Sequence, residues 1–413
     1  MHASVLWLLL EKAIRVFSGV FVATAVARHL GPADYGLLAL AVGITGVAVA
    51  AASMGADHTN LSELIKDDSR DQLIAILLCR VVMAIACSAV VVTYAWLTSG
   101  EQRSLLTILA LTVVATAPVV FVHKLYALGR FSIAGLLGVL AILIAIALRL
   151  SGIAMSFEAE WFAWCIAIEA MLIGLLPLAW LVMNAGDKRI SIRFQQDRIA
   201  QYLRLCAPLM GAAILVAVYF RLEILIVGYL LGAEAAGTWA AAMMFVMPWG
   251  MASAAVLPVV NRRLVHALKL AHTDYRAEMI KLIRWMGLAA IGAVCFNVVA
   301  IRFAAPMLLG EAFESVIGIA SVASMAILPL FMGAVQDLWL AQQRQSKVVL
   351  RKVLIGIPLS SVLLLIGTHF GGLIGTAMAV VLSYLTTAVV LNARLDRDFF
   401  ELQLASVGLR HAR

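Results

Sequence analysis

Apolar residues fill this chain in long runs, each broken by a short polar or glycine-containing stretch. A helix needs about 20 such residues to cross the hydrocarbon of a bilayer. Twelve runs of that kind can be delimited, roughly at 5–28, 34–56, 73–97, 105–122, 132–149, 161–183, 205–229, 236–260, 285–303, 316–340, 350–368 and 373–392. Six precede the stretch 184–204 and six follow it, so both halves enter the membrane with the same orientation. The pattern predicts an all-α polytopic membrane protein of twelve transmembrane helices, arranged as two parallel six-helix bundles around a central cavity. Residues 1–184 would form the first bundle, 185–204 a basic linker, 205–393 the second bundle and 394–413 a tail.

One phrase occurs in both halves. Leu30-Gly31-Pro-Ala-Asp-Tyr-Gly36 and Leu231-Gly232-Ala-Glu-Ala-Ala-Gly237 share Leu-Gly, four residues and Gly, and each separates two apolar runs. Self-similarity at half the chain length points to a duplicated unit, with the phrase as a tight turn between spans. Seven prolines fall within spans (Pro118, Pro177, Pro208, Pro248, Pro258, Pro329 and Pro358). There they bend helices, because proline removes a backbone donor, and neighbouring groups must close the freed carbonyls.

Composition agrees: 64% of residues are hydrophobic and only 13% charged, which excludes a soluble globule. The net charge of +8 is distributed by side. With the amino terminus inside, 23 lysines and arginines lie in inner loops, the linker and the tail, against four outside (Arg28, Arg103, Arg149 and Arg302). That asymmetry predicts both termini in the cytoplasm and accounts for the basicity without any nucleic-acid partner. Trp7, Trp96, Trp161, Trp180, Trp239, Trp285 and Trp339 fall near span ends, as an interfacial belt would. The start of the chain reads as an uncleaved first span rather than a signal peptide. The basic stretch from Arg262 to Arg284 reads either as an inner loop or as an interfacial amphipathic helix. The five cysteines are scattered in apolar surroundings as packing residues. Neither a loop long enough for a catalytic domain nor a phosphate loop, metal-ligand cluster or nucleophile–base pair is present, so no enzyme activity, metal or cofactor is expected.

Charges within spans carry the functional expectation, since each is costly at membrane depth. Lys12, Arg15, Arg80 and Arg221 are the basic ones. Lys12 and Arg80 can either snorkel to the inner headgroups or face a cavity. Arg15 is four residues after Glu11, the favourable order for an ion pair. Arg221 is too deep to snorkel and is assigned to the cavity. Together these residues would draw an anion, and guanidinium matches phosphate oxygens in a bidentate fork. Glu169, Glu223 and Asp337 are candidates for ion coupling, with a hydrogen-bonded structural role for Glu169 and a solvated span end for Asp337 as the plainer readings.

Several stretches are familiar. Ala27-Arg28-His29-Leu30-Gly31-Pro-Ala-Asp-Tyr35-Gly36 resembles the amino-terminal signature of the polysaccharide-flippase branch of the multidrug/oligosaccharidyl-lipid/polysaccharide exporter superfamily. Tyr219-Phe-Arg221-Leu-Glu223, running on to Gly232, is similar to that family's seventh span, and Gly237-Thr-Trp-Ala-Ala-Ala242 to its eighth. Leu308-Leu-Gly310-Glu-Ala-Phe313 and Gly371-Gly-Leu-Ile-Gly375 resemble later turns. Two positions depart from the family: Glu223 stands where Asp is usual, and Asp57-His58-Thr59-Asn60 where a basic residue is common. The resemblance implies a flippase of the bacterial inner membrane. Its cargo would be an undecaprenyl-diphosphate-linked oligosaccharide carried by alternating access for O-antigen, capsule or exopolysaccharide synthesis, with glycosyltransferase and polymerase partners. A drug/cation antiporter of the same superfamily is the nearest alternative, and a membrane glycan polymerase or ligase a more distant one.

Overall fold

A computed structural model describes residues 7, 11, 14–15, 17–67, 69–184, 196–270, 272–343 and 345–408. The described residues are almost wholly helical and contain no strand. A π-helical turn, Ser18–Val22, leads into α1 (Ala23–Ala52). Then follow α2 (Asp57–Lys66), α3 (Arg70–Leu97), α4 (Glu101–Val114), α5 (Val120–Ala127), α6 (Phe131–Ala154), α7 (Ala159–Met183) and α8 (Gln196–Leu231). The rest of the chain forms α9 (Ala233–Leu270), α10 (His272–Leu309), α11 (Val316–Ala323), α12 (Ile327–Gln342), α13 (Ser346–Leu385), α14 (Leu391–Leu395) and α15 (Arg397–Ser406).

Among the described residues, eight segments are long and apolar enough to cross a membrane. Two of these, Ser18–Ala52 and Val348–Leu395, are broken by glycines with non-helical angles, Gly31 and Gly372. Around Gly372 the chain doubles back. Thr368 and Thr376 share a hydrogen bond of 2.9 Å, whereas eight residues of straight helix would separate them by about 12 Å. Each of these two segments therefore counts as a pair of spans. The α4–α5 pair and α9 supply two more, giving twelve transmembrane helices among the described residues.

The turns have a common cause. Gly31 (φ 76°, ψ 172°) and Gly310 (φ 78°, ψ −173°) lie in a region of backbone space open essentially to glycine alone. Gly100, Gly232 and Gly372 also have positive φ, and Ser156 (φ 57°) takes that place between α6 and α7. Every turn between an odd-numbered span and the next even one thus carries a positive-φ residue. The duplicated phrase marks two of the six. After Gly31, Pro32 has its φ already preset for helix and no N–H left to satisfy, and Asp34 lies in the first turn, where negative charge is favoured.

By contacts the chain divides into two compact units, Met1–Leu225 and Ile226–Arg413, the division falling within α8. The core of the first unit contains Val26, Leu38, Ala84, Leu105, Leu109 and Phe162, with a second cluster of Met54, Leu64, Ile76, Val120 and Tyr202. In the second unit Tyr275 stacks on Trp339 with ring centroids 5.7 Å apart, and Trp339 contacts Phe399 at 6.1 Å. This aromatic column seats α15, whose last carbonyls, Ser406 and Ala405, accept from Arg284 at 2.8 and 3.2 Å. Residues expected as a tail therefore include a docked helix. The described residues of the basic stretch Arg262–Arg284 are helical, at the end of α9 and the start of α10. Trp239 and Trp339 are buried core residues, not members of an interfacial belt. Trp96 and Trp285 are exposed, and Arg103 lies 4.1 Å over the ring of Trp96.

The outer faces are apolar. On α10, Trp285, Leu288, Phe296, Val299, Phe303 and Met307 are all exposed at three- to four-residue spacing with one longer step. A stripe of that length on a solvated surface would be an aggregation site; against lipid it is the expected exterior. The chain is a multi-pass membrane protein.

Replacing Gly31 by alanine should cost about 1–3 kcal/mol from the backbone alone, since nothing lies within 4 Å of the added Cβ. Gly375→Ala should cost more, because its Cβ would lie 2.0 Å from the Gly367 carbonyl oxygen. Thermal unfolding in detergent, with wild type alongside, checks the order.

Candidate functional site

Three charged centres lie within the first unit, and the first begins with a proline. Pro118 separates α4 from α5, and the chain between them tightens: Val120 N–H donates to the Ala117 carbonyl at 3.3 Å. In a continuous helix that N–H would have gone to Thr116. The Thr116 carbonyl is left for a side chain, and Arg80 on α3 donates to it from Nη2 at 2.8 Å and from Nε at 3.2 Å. Arg80 Nη1 reaches Asp57 Oδ1 at 3.4 Å, and His123 Nε2 lies 3.8 Å from the same oxygen. Arg80 is 1% exposed. It neither snorkels nor offers its fork to a ligand, so it leaves the expected cationic set and becomes a structural arginine. Asp57, one of the departures from the family pattern, is its counter-charge.

The second centre is a chain of four charges. Arg15 Nη2 donates to Glu11 Oε1 at 2.8 Å, and Arg15 Nη1 lies 3.6 Å from Glu169 Oε1. Glu169 Oε2 accepts from Arg149 Nη2 at 2.6 Å. Glu11 and Arg15 come from the first span, Arg149 from the end of α6 and Glu169 from α7. Close approach of the first span to α6 depends on Gly138, whose Cβ, if present, would lie 3.1 Å from the Glu11 carboxyl carbon. Sequence reading assigned Arg149 to an outer loop. The signal available was that an intramembrane Glu169 needs a cation, and a basic residue ends the neighbouring span. Lys12, expected beside Arg15, lies outside the described residues.

Arg221 forms the third centre. On α8 it lies against α1: a Cβ on Gly46 would be 3.1 Å from its Nε and 3.3 Å from its Nη2, while Gly43 receives Ile224 in the same way. Small residues let the two helices approach, and a side chain at 46 would press on the guanidinium. Glu223, two residues on, is buried. In the second unit Asp337 is exposed on α12. Beside it lies a polar network that sequence reading missed, having counted Lys352, at the start of a span, only among the basic residues of the inner side. Lys352 Nζ donates to Gln336 Oε1 and, at 2.7 Å, to Asn392 Oδ1. Gln336 Nε2 in turn donates to Asn392 at 2.6 Å and to Asp396 at 3.3 Å. At a helix end of the first unit, Arg198 Nη1 is paired with Asp67 Oδ2 and donates to Gln72 Oε1 at 3.2 Å. Arg198 and Ser69 hold the Asp67 carboxyl down at about 2. Among the described residues no group of three or more His, Cys, Asp or Glu is placed to hold a metal ion.

Residues 25–318 match the model of a family described as polysaccharide biosynthesis proteins. The chain belongs to that family. None of the curated protein sequences matches it, but solved structures share its fold. A lipid II flippase, MurJ, in an inward closed conformation superposes with a TM-score of 0.76 at 12% identity, over 98% of this chain and 91% of that one. An inward-facing multidrug resistance transporter of the MATE family and MOP superfamily gives 0.69 at 15% identity, over 97% and 95%. A MOP superfamily transporter from Pyrococcus furiosus, described as having a binding pocket of reversed polarity, gives 0.53 at 13% identity, over 99% and 96%. At these identities the likeness establishes a MOP-type fold. This family member therefore has the helical architecture that the spacing of its apolar runs predicted.

Arg80→Lys keeps the charge but loses the fork on Thr116, and should lower stability by about 1.5–3 kcal/mol, the worth of a charged hydrogen bond. Arg80→Ala should lower it further, and thermal unfolding ranks the two. The Asp67–Arg198 clamp behaves as a depressed carboxyl: present above the ordinary carboxylate range, lost as pH falls from about 3.8 toward about 2. Hydrogen exchange over 57–72, corrected for intrinsic rate, should be constant from pH 7 to 4 and rise below. Asp67→Asn should raise it throughout.

Proposed function

We propose that this protein is a flippase for polyprenyl-diphosphate-linked oligosaccharide, moving repeat units from the cytoplasmic to the periplasmic leaflet of a bacterial inner membrane by alternating access. The carrying observation is its membership of a polysaccharide biosynthesis family in combination with a fold like that of a lipid II flippase. Glycans built on a lipid carrier must cross the bilayer before extracellular assembly, and a multi-pass helical membrane protein suits that step. Glycosyltransferases would supply the cargo and a polymerase would consume it.

Intramembrane charge supports an anionic cargo. Arg15, Arg149 and Arg221 are guanidiniums at membrane depth, and each can take a phosphate oxygen pair. Of the acidic residues at depth, Glu11 and Glu169 are already paired with arginine, which disfavours capture of an organic cation there. Glu223 and Asp337 are retained as candidates for ion coupling. The excess of Lys and Arg in one set of loops supports both termini in the cytoplasm, and the duplicated phrase supports halves at 1–184 and 205–393. The second reading, a drug/cation antiporter, draws on the likeness to the MATE transporter.

The two readings part in proteoliposomes. A fluorescent undecaprenyl-diphosphate sugar should change leaflets with the wild-type protein and at least about tenfold more slowly with Arg221→Ala, the scale of one charged hydrogen bond. Flipping unaffected by the substitution would return Arg221 to packing. Efflux of a cationic dye without lipid flipping would replace the proposal by the antiporter.

A further inference from the structure

The four-charge chain Glu11–Arg15–Glu169–Arg149 does more than neutralise buried charge. Glu169 presents one carboxylate oxygen to each of two guanidiniums, Oε2 to Arg149 at 2.6 Å and Oε1 toward Arg15 at 3.6 Å. Two oxygens on one centre, each facing a different arginine, is also how a phosphate group would be held. The contacts are unequal: the Arg149 contact is a short hydrogen bond, the Arg15 contact an ion pair beyond hydrogen-bond length. Nor is the site sealed. The Arg15 side chain is 39% exposed, against 16% and 17% for Arg149 and Glu169. Of the three, Arg15 is the most exposed and holds Glu169 by the weaker contact.

We infer that Glu169 is an internal stand-in for the anionic cargo, a carboxylate that occupies Arg15 and Arg149 in the unloaded protein and gives them up to a diphosphate on taking a proton. The diphosphate identity rests on the flippase reading; the masking requires only an anion. Protonation makes the cluster a net cation before the anion binds. With all four groups ionised the formal sum is zero, and protonation of Glu169 leaves +1. The Arg149 hydrogen bond and the Arg15 ion pair to Glu169 break, and both arginines turn to phosphate oxygens, while the proton from bulk water remains on the Glu169 carboxyl. Loss of that proton lets Glu169 retake both arginines and expel the anion. Cargo release and proton release are thereby linked.

The groups that tune this exchange come from each neighbouring element. Glu11 and Arg15 face it from the first span and Arg149 from α6. Tyr126 on α5 lies near Glu11 and Arg15, and Cys165 on α7 near Arg149 and Glu169, both as neutral groups. Glu11 keeps its hydrogen bond to Arg15 in both states, so the arginine nearer the opening is never left without a counter-charge.

Affinity for two probes tests the inference on the full chain in nanodiscs: inorganic pyrophosphate by calorimetry and fluorescent undecaprenyl diphosphate by anisotropy. Glu169→Gln should bind pyrophosphate about tenfold or more tightly than wild type at pH 7.5, because no charged hydrogen bond has to break. The ratio of the two affinities, in which pyrophosphate's own titration cancels, should fall as pH is lowered. Glu169→Asp should behave as wild type. Equal affinities at pH 7.5, or a ratio that ignores pH, would overturn the masking. If Glu169→Gln does not fold, wild type alone decides. Calorimetry in buffers of different ionisation enthalpy should find about one proton taken up beyond pyrophosphate's own, and no such uptake overturns the inference. Pyrophosphate behaving as expected while the lipid fails to bind would leave the masking and remove the flippase reading. Lipid flipping without any Glu169 effect would do the reverse.

Discussion

Hydrocarbon offers no water to a polar group that loses its partner, and that constraint governs how this protein is built. Its clearest expression is the Thr116 carbonyl. Pro118 opens the fourth span, the backbone tightens around it, and one carbonyl is left over in the interior. Arg80, itself too costly to leave alone at that depth, closes it with two donors and takes Asp57 as counter-charge. Neither feature is stable without the other. A second packing contact depends on the same proline, since Gly174 admits it with no room for a side chain.

Intramembrane charges here fall into closed and open centres. Arg80 and the Lys352–Gln336–Asn392 network are closed: buried, multiply bonded and tied to backbone or amide groups that do not leave. Arg15, Arg149 and Glu169 form an open centre, partly exposed and held by bonds of unequal strength, and Arg221 rests on a glycine rather than on a bonded partner. Closed centres specify structure, whereas open ones can exchange partners. The proposed carriage of an anionic lipid headgroup calls for both, since helices must hold together while binding groups let go.

The turns show the same economy of means. Each odd-to-even turn uses one residue at positive φ, and where the angles reach the extended positive-φ region only glycine serves. The Leu-Gly phrase keeps that glycine at both Gly31 and Gly232, although the residues around it differ.

Length and polarity alone determined the twelve spans, because crossing hydrocarbon sets a minimum apolar run that few other folds require. The turn at Gly31 and the echo at Gly232 were legible for a similar reason, since a local backbone constraint leaves a local mark. The resemblance to polysaccharide exporters was legible in the same phrases, and the chain belongs to a polysaccharide biosynthesis family. Charge pairing was not. Glu11 and Arg15, four apart on one helix, could be paired by inspection, but Arg149 with Glu169, Arg80 with Thr116 and Lys352 with Asn392 join separate helices. Whether a lysine near a span end snorkels, lies in a loop or is buried in a network depends on which helix packs beside it. Helix packing is set by side-chain shape summed over whole faces, with no fixed spacing along the chain to record it. The apolar pattern decides that a residue lies in the membrane; only the tertiary structure decides what it touches there.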